Sequence, residues 1–366
     1  MKIAVAMSGG VDSSVAAHIL KEQGHEVIGL TMKIWPCGAD DGGGGRTCCD
    51  PDSIRDAERV AAELGIRHYT LGLRGAFESA VVNEFLTEYA AGRTPNPCIT
   101  CNRLVKFDPF LEKADALGAT HLATGHHAIV AHGGPGGASV LRKGRDRSKD
   151  QSYFLYALTQ RQLPRVLMPI GAMTKEEVRA AARAAGLSVS ERPESQDVCF
   201  VPDGDVAAFF RLMRPDAVRP GPIEDRDGNV LGEHGGIALY TVGQRSGLGL
   251  SRPRPTYVVR LDAARNAVVV GDDEELYSSE LTAGDLSWIA GIPPAREFRA
   301  EAKIRYAAPP VPCAAAVEDG RLRLLFDEPQ RAIAPGQSAV LYEGDVVLGG
   351  GVIAEPVLDF PPPDGA

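Results

Sequence analysis

The sequence predicts an α/β domain built on a parallel sheet, followed by a β-rich half made of small barrel or sandwich modules. Two observations predict this. Strand and helix patterns alternate through the first half of the chain, and after about residue 213 helical periodicity gives way to short β-rich runs punctuated by Gly, Pro and Asp-Gly turns. A third observation, the loop Ser8-Gly9-Gly10-Val11-Asp12-Ser13-Ser14 directly after the first strand-like run, places an anion cradle at a strand-to-helix turn.

Each element has a local cause. Strands are expected over 3–7, 26–32, 68–73 and 121–124. Helices fit between them: 12–23, stopped by Gly24; 51–64, with Asp50 as N-cap and Gly65 beyond its end; and 77–91, before Gly92. A helix over 175–185 opens on Thr174 with Glu177 three residues on, a capping box, and ends at Gly186. A short helix is expected over 205–213. Strands then follow over 257–261, 267–270, 300–304, 322–326, 339–342 and 346–353, with a Pro-rich joint over 292–295 that would separate two β-rich modules. The Gly42 to Gly45 run reads as a flexible loop and the tail 359–366 as disordered.

At 366 residues the chain has room for two or three domains, and its ordinary apolar and charged fractions mark it as globular. Ser8 to Asp12 interrupt the only N-terminal apolar run, so neither a signal peptide nor a membrane span is expected, and a cytoplasmic enzyme is. Seven cysteines without a secretory signal read as thiols, metal ligands or redox catalysts rather than a disulfide framework. The net charge of −9 argues against coating nucleic acid by bulk electrostatics but leaves room for local patches. Two basic series stand out, Arg142, Lys143, Arg145, Arg147 and Lys149, and Arg296, Arg299, Lys303 and Arg305; a solvated face is the plainer reading of either.

The Ser-Gly-Gly loop is not a Walker loop, whose Gly-Lys-Ser/Thr string occurs nowhere in the chain. It resembles the signature of PP-loop ATP pyrophosphatases, which cleave ATP between its α and β phosphates. In that reading Ser8, Gly9, Gly10, Ser13 and Ser14 hold pyrophosphate and Asp12 helps to place Mg²⁺, a hard cation suited to carboxylate oxygen. The alternative is a Gly-Gly turn into a helix with Asp12 as its N-cap.

Further motifs make the resemblance specific. They are Thr94-Pro95-Asn96-Pro97-Cys98-Ile99-Thr100-Cys101-Asn102, Ala123-Thr124-Gly125-His126-His127, Lys149-Asp150-Gln151-Ser152-Tyr153-Phe154-Leu155, Ser195-Gln196-Asp197-Val198-Cys199-Phe200 and Thr241-Val242-Gly243-Gln244-Arg245. In this order, over nearly the whole chain, they resemble the bacterial tRNA-specific 2-thiouridylase family. The resemblance implies a PP-loop (adenine nucleotide alpha hydrolase-like) catalytic domain over 1–202, a small tRNA-contacting central domain over 203–280 and a C-terminal β-barrel over 281–358. It implies ATP and Mg²⁺ as cofactors and, as substrate, a tRNA with a wobble uridine whose C2 oxygen is adenylylated and then replaced by sulfur. It also implies a sulfur donor protein or hydrosulfide upstream and a monomeric enzyme.

Residue by residue, Cys199 would carry the sulfur as a persulfide, and Cys101 would be the nucleophile that pairs with it in a disulfide during turnover. Ala6, Met7, Val11, Met32 and Gly125 would join the loop in contacting nucleotide; Asn96, Pro97 and Cys98 would border the target base. His126, Lys149, Asp150, Gln151, Arg305, Tyr306 and Gln337 match tRNA-contacting positions. Without the resemblance, Met32 reads as core, His126 as a satisfied loop histidine and Arg305-Tyr306 as strand. The chemistry suits the residue types: a urea-like oxygen leaves poorly until it is an AMP ester, and a loop thiolate can carry and release sulfur by thiol exchange.

The chain departs from the family at Cys98, where many members have aspartate. Cys98, Cys101 and Cys199 could therefore be three thiolate ligands of a [4Fe–4S] cluster with one open iron. A persulfide enzyme with Cys98 as bystander is the other reading; a structural zinc site fits least, because a closed site wants four ligands. Cys37, Cys48 and Cys49 flank the Gly-rich insertion as a further metal or redox candidate, with ordinary thiols the plainer reading, and Cys313 reads as a small core residue. Two other functions remain to be weighed. A PP-loop amide ligase would use the same ATP site with ammonia and have no use for Cys101 and Cys199, and an RNA-binding protein without catalysis would not need the Ser-Gly-Gly loop.

Overall fold

The computed structural model describes residues 1–34, 51–193, 198–201 and 204–357. Cys37, Cys48 and Cys49, the Gly42 to Gly45 run, Asp50, Ser195 to Asp197 and the tail lie outside the described residues.

Five parallel strands form the first sheet: β1 (Lys2–Ala6), β2 (Glu26–Lys33), β3 (Arg67–Gly72), β4 (His121–Thr124) and, further on, the two-residue β7 (Val166–Leu167). Their order is β3-β2-β1-β4-β7, so the chain runs outward from β1 to β3 and then returns to the other side of β1. That reversal opens a crevice at the C-terminal ends of β1 and β4, where ligands bind in open α/β sheets. Side chains alternate across β1. Ile3 and Val5 pack with helices α1 (Val11–Glu22) and α2 (Pro51–Glu63), while Ala4 faces the core on the opposite side. With both faces covered, the strands read as nearly continuous apolar runs, which is why periodicity found them.

Two interrupted helical runs cover the second face. Helix α3 (Arg74–Phe77) passes through a π-helical turn, Glu78–Val82, into α4 (Asn83–Ala90). Helix α5 (Pro97–Cys101) passes through a second, Asn102–Lys106, into α6 (Phe107–Ala116). Helix α7 (Lys175–Ala184) has the expected capping box from Thr174 and Glu177, and Asp205 caps α8 (Val206–Met213). Gly10, not Asp12, is the N-cap of α1, and Asp12 stands in its first turn.

The β-rich half contains two sheets. Strands β8 (Gly221–Glu224), β9 (Val230–His234), β10 (Tyr257–Asp262) and β11 (Ala267–Gly271) form a small sheet in the order β10-β11-β8-β9. Six longer strands follow: β12 (Tyr277–Trp288), β13 (Glu297–Lys303), β14 (Val311–Glu318), β15 (Arg321–Arg331), β16 (Ser338–Glu343) and β17 (Val346–Val357). They pair in the order β12-β15-β14-β13-β16-β17, and β12 pairs with β17 to close an antiparallel barrel. The expected parallel sheet, central β-rich unit and C-terminal barrel are thus all present.

Three details differ from expectation. β12 runs through the anticipated cut at 280/281, and its polar run Ser278-Ser279-Glu280 hid it from a search for apolar alternation. The Pro-rich joint over 292–295 is the loop between β12 and β13, inside the barrel, not a division between modules. A hairpin of β5 (Ala128–Ala131) and β6 (Val140–Lys143) leaves the first half and joins the barrel sheet, Arg142 opposite Val346. Among the described residues, no helix is long and apolar enough to cross a membrane.

Candidate active site

The Ser-Gly-Gly loop is tied to its own helix. Ser8 donates its backbone N–H to Ser13 Oγ at 3.1 Å, and the hydroxyls of Ser13 and Ser14 donate to the Gly10 carbonyl at 3.1 and 2.9 Å. Two glycines at this turn are required by close approach. Gly9 has φ of +71°, and a Cβ there would lie 2.1 Å from the Ser53 carbonyl oxygen; a Cβ on Gly125, just past β4, would lie 2.5 Å from the Ser13 nitrogen. The α1 N-terminus therefore presents backbone N–H groups and a positive dipole end in a fixed place.

Asp12 on that first turn receives Lys175 Nζ at 2.7 and 2.8 Å on its two oxygens, and His127 Nε2 lies 3.4 Å from one of them. Burial alone would raise the Asp12 pKa, but the His127 hydrogen bond and the Lys175 charge outweigh it and hold the carboxyl below its usual range. His127 is buried with Nδ1 lacking a hydrogen-bond partner. Arg192 donates to the Gly9 carbonyl at 2.9 Å and to Ser53 Oγ at 2.8 Å and pairs with Asp56. Lys175, His127 and Arg192 escaped the sequence reading; the capping box located the helix of Lys175 but gave no sign that its first side chain turns toward Asp12.

Two adjoining cavities occupy the crevice. One of 220 Å³ is lined by Ala6, Met7, Ser8, Asp12, Ser13, Met32 and Gly125, all expected to contact nucleotide, and by Thr31, Phe110 and Thr124. The other, of 570 Å³, carries Gly10, Val11, Lys175 and Arg192 at one end and Pro97, Cys98, Cys101, Cys199 and Tyr306 at the other. Phosphate cradle and thiols thus open on one space. Its size is that of a small-molecule site.

The thiols arrive from separate segments. Pro97 begins α5, and over its single turn Cys98 is exposed while Cys101 is buried. Cys199 is half-buried beside Phe200, whose ring meets Phe77, Phe85 and Phe209 with centroids 5.5, 5.1 and 5.6 Å away. Among the described residues, no group of three or more His, Cys, Asp or Glu side chains is placed to hold a metal ion. At the mouth, Tyr306 lies against Phe154 at 4.4 Å between centroids, with Lys303 Nζ 5.2 Å from the Tyr306 ring.

The loop before α5 is fastened from outside. Thr94 donates its N–H to the Pro335 carbonyl at 2.7 Å, its carbonyl accepts Gln337 Nε2 at 2.8 Å, and its hydroxyl donates to Thr241 Oγ1 at 3.4 Å. The barrel and a loop of the central unit thus both grip the segment leading to Asn96, Pro97 and Cys98.

Of the other expected contacts, His126, Lys149 and Gln151 line the larger cavity. Gly9, Asn96, Asp150, Arg305 and Gln337 line neither cavity. Asp150 is buried, accepting from the Gly144 N–H at 2.9 Å, the Ser152 N–H at 3.1 Å and Ser152 Oγ at 2.9 Å, so its carboxylate shapes this turn. Arg305 donates to the Arg331 carbonyl at 3.2 Å. In the basic series, Lys143, Arg145 and Arg147 pair with Glu301, Glu177 and Asp345, and Arg296 and Arg299 with Glu318 and Asp327. Much of that charge is compensated within the protein.

Comparison with known proteins gives a consistent result. A family profile described as tRNA methyl transferase HUP domain matches residues 1–203. One described as tRNA methyl transferase PRC-barrel domain matches 212–272, and one described as aminomethyltransferase beta-barrel domain matches 278–353. The chain is 51% identical to the tRNA-specific 2-thiouridylase MnmA of Magnetococcus marinus over 96% of this chain and 98% of that protein. It is 50% identical to the protein of that name from Acetivibrio thermocellus, over 96% and 99%. With the one from Halothermothrix orenii it shares 49% identity over 97% and 99%.

Proposed function

The chain belongs to the tRNA-specific 2-thiouridylase family, and from that premise we propose that it activates the C2 oxygen of a tRNA wobble uridine with ATP and replaces it by sulfur carried on Cys199. The observation that carries this reading is the single cavity shared by the phosphate cradle and the thiols. Two profiles bear methyl transfer in their descriptions, but a methyl donor has no need of a pyrophosphate cradle, and the full-length relatives are named for thiolation. An ammonia-using ligase would leave the thiols beside the cradle unexplained.

In the first step the uracil O2 bonds to the α-phosphorus and the bridging oxygen leaves with its electron pair as pyrophosphate. The N3 proton is released, leaving an O2-adenylylated base. Backbone N–H groups at the α1 N-terminus, with Lys175 and Arg192 nearby, suit the departing pyrophosphate. Asp12 supplies the hard oxygen that suits Mg²⁺ entering with ATP, once Lys175 releases it.

In the second step the Cys199 persulfide attacks C2 and AMP leaves. The Cys101 thiolate then attacks Cys199 Sγ, releasing the thiocarbonyl and forming a Cys101–Cys199 disulfide that an external thiol reduces. Cys98, Cys101 and Cys199 share the cavity without forming a ligand set, which does not fit a [4Fe–4S] cluster held by all three. The persulfide route therefore carries the reading.

The test uses tRNA, ATP and a sulfur-loaded donor. Cys199→Ser should retain tRNA-dependent pyrophosphate release and lose thiolation to background; thiolation within about tenfold of the parent would defeat the assignment, a loss of that size being far too small for a missing covalent carrier. Iron and sulfide, measured on protein isolated without oxygen, should be absent. About four of each per chain, lost in Cys98→Ala, would replace the persulfide by a cluster and hydrosulfide.

A further inference from the structure

The two cavities meet along a line where three reacting groups must converge: the α-phosphoryl group, the uracil O2 and the incoming sulfur. Among the described residues, six side chains or loop positions border both cavities: Ser8, Asp12, Met32, Lys106, His126 and Gln151. Lys106 is the only lysine or arginine in that set. Lys175 and Arg192 line the larger cavity only, the first bonded to Asp12, the second to Gly9, Ser53 and Asp56.

Helix geometry explains how Lys106 gets there. In a regular α-helix, residues five apart point about 140° away from each other, so Cys101 and Lys106 would face different surroundings. Here Asn102–Lys106 is a π-helical turn, whose i to i+5 hydrogen bonding stacks residues five apart on one face. Cys101 and Lys106 consequently line the same cavity. The turn is held firmly: Val105 and Phe107, on either side of Lys106, are fully buried, and the Phe107 ring stacks on His126 at 6.1 Å. His126, which bonds Thr124 Oγ1 at 2.8 Å, is kept neutral by its burial and by repulsion from Lys106 and His127, Asp12 opposing.

We propose that Lys106 is a further catalytic residue of the adenylylation step, contacting the α-phosphoryl oxygens as uracil O2 bonds to phosphorus and pyrophosphate departs. This inference rests on the reading given above. The incoming nucleophile is a neutral carbonyl oxygen, so charge accumulates on the phosphoryl oxygens and the leaving bridge, where a prepositioned cation in a confined site is most effective. Because Lys106 also faces the thiol side, the same ammonium lies beside the AMP phosphate when sulfur displaces it.

Pyrophosphate release from ATP in the presence of tRNA is measured for the full-length parent, Lys106→Met and Lys106→Arg, with rates normalised to folded protein by near-UV circular dichroism. Loss of one such donor should lower kcat in Lys106→Met by about 100-fold with the KM for ATP little changed, and Lys106→Arg should recover at least about tenfold of that loss. Equal rates for the methionine and arginine variants, or a methionine variant within about threefold of the parent, would overturn the proposal; so would a defect confined to KM. If the parent itself releases no pyrophosphate, the adenylylation reading falls and this inference with it, an outcome distinct from an active parent with indifferent variants.

Discussion

On the phosphate side of the crevice, the loop closes on itself: Ser8, Gly10, Ser13 and Ser14 bond one another within seven residues of chain, and Gly125 packs closely against the helix start. On the thiol side, Cys101, Cys199 and Tyr306 come from three distant segments. The loop before Cys98 is held by Pro335 and Gln337 of the barrel and by Thr241 of the central unit. The Ser-Gly-Gly loop itself can close as soon as β1 meets α1, and Gly125, His127, Lys175 and Arg192 reach it from later segments. The thiol side exists only when the parallel-sheet domain, the central unit and the barrel are all in place, whereas the Ser-Gly-Gly loop's own bonds stay local.

The comparison breaks most sharply at Gly125. Its backbone needs no left-handed conformation, so the objection to a side chain is purely steric: a methyl would meet the Ser13 nitrogen at 2.5 Å and the Asp12 carbonyl carbon at 2.7 Å. Gly125→Ala should cost about 1–3 kcal/mol of stability. It should also weaken ATP binding by at least about tenfold, the loss expected if displacement of the α1 N-terminus removes about 1.4 kcal/mol from the phosphate contacts. Gly72→Ala, where nothing lies within 4 Å, is the control. Denaturant melts and ATP titration read the two effects, and unchanged ATP affinity would mean that the cradle is not where the nucleotide phosphates sit.

The same contrast governs what could be read from sequence. The cradle was legible because a strand, two glycines and a helix start are consecutive, and the parallel sheet because its central strands β1 and β2 are largely apolar and buried. The β5–β6 hairpin was hidden because its partner, Val346, is some 200 residues away, and β12 because it is polar where it begins. The family resemblance nominated Gln337 and Asp150 as RNA contacts. The structure assigns their side chains to internal bonds, Gln337 to Thr94 and Asp150 to Gly144 and Ser152, which no local pattern could disclose. Lys106 was invisible for a related reason: the π-helical turn that carries it into one cavity with Cys101 has no simple residue signature.

Gln337→Ala sharpens the comparison with a smaller effect. It removes the 2.8 Å bond to the Thr94 carbonyl while leaving the Thr94 N–H on Pro335. A bond of this kind contributes about 0.5–1.5 kcal/mol. Amide exchange over 93–99 should therefore quicken by roughly 2- to 12-fold, with the amides of Ser8 to Ser14 unchanged. Faster exchange at both places would show that the phosphate side also leans on the barrel, and no change at either would show that the bonds left intact, Thr94 to Pro335 and to Thr241, hold the cysteine loop with Pro95 and Pro97.

The smallest expected effect belongs to His126, which borders both cavities. Burial, with repulsion from Lys106 and His127, pushes its pKa well below the usual histidine value, and Asp12 only partly opposes this. The folded state therefore binds the proton more weakly than the unfolded chain does. Its contribution to stability is full above the unfolded pKa of about 6.5 and is lost progressively as pH falls below it, toward the folded value. Comparison of the parent with His126→Gln by chemical denaturation should give a stability difference that is constant from pH 7 to 8 and shifts against the parent toward pH 5.5. In the NMR spectrum the His126 ring should stay neutral at pH 6.5, where an ordinary histidine is half protonated. A His126 that protonates near pH 6.5 would mean that the junction admits water freely, and the electrostatic advantage of a cation placed there would shrink accordingly.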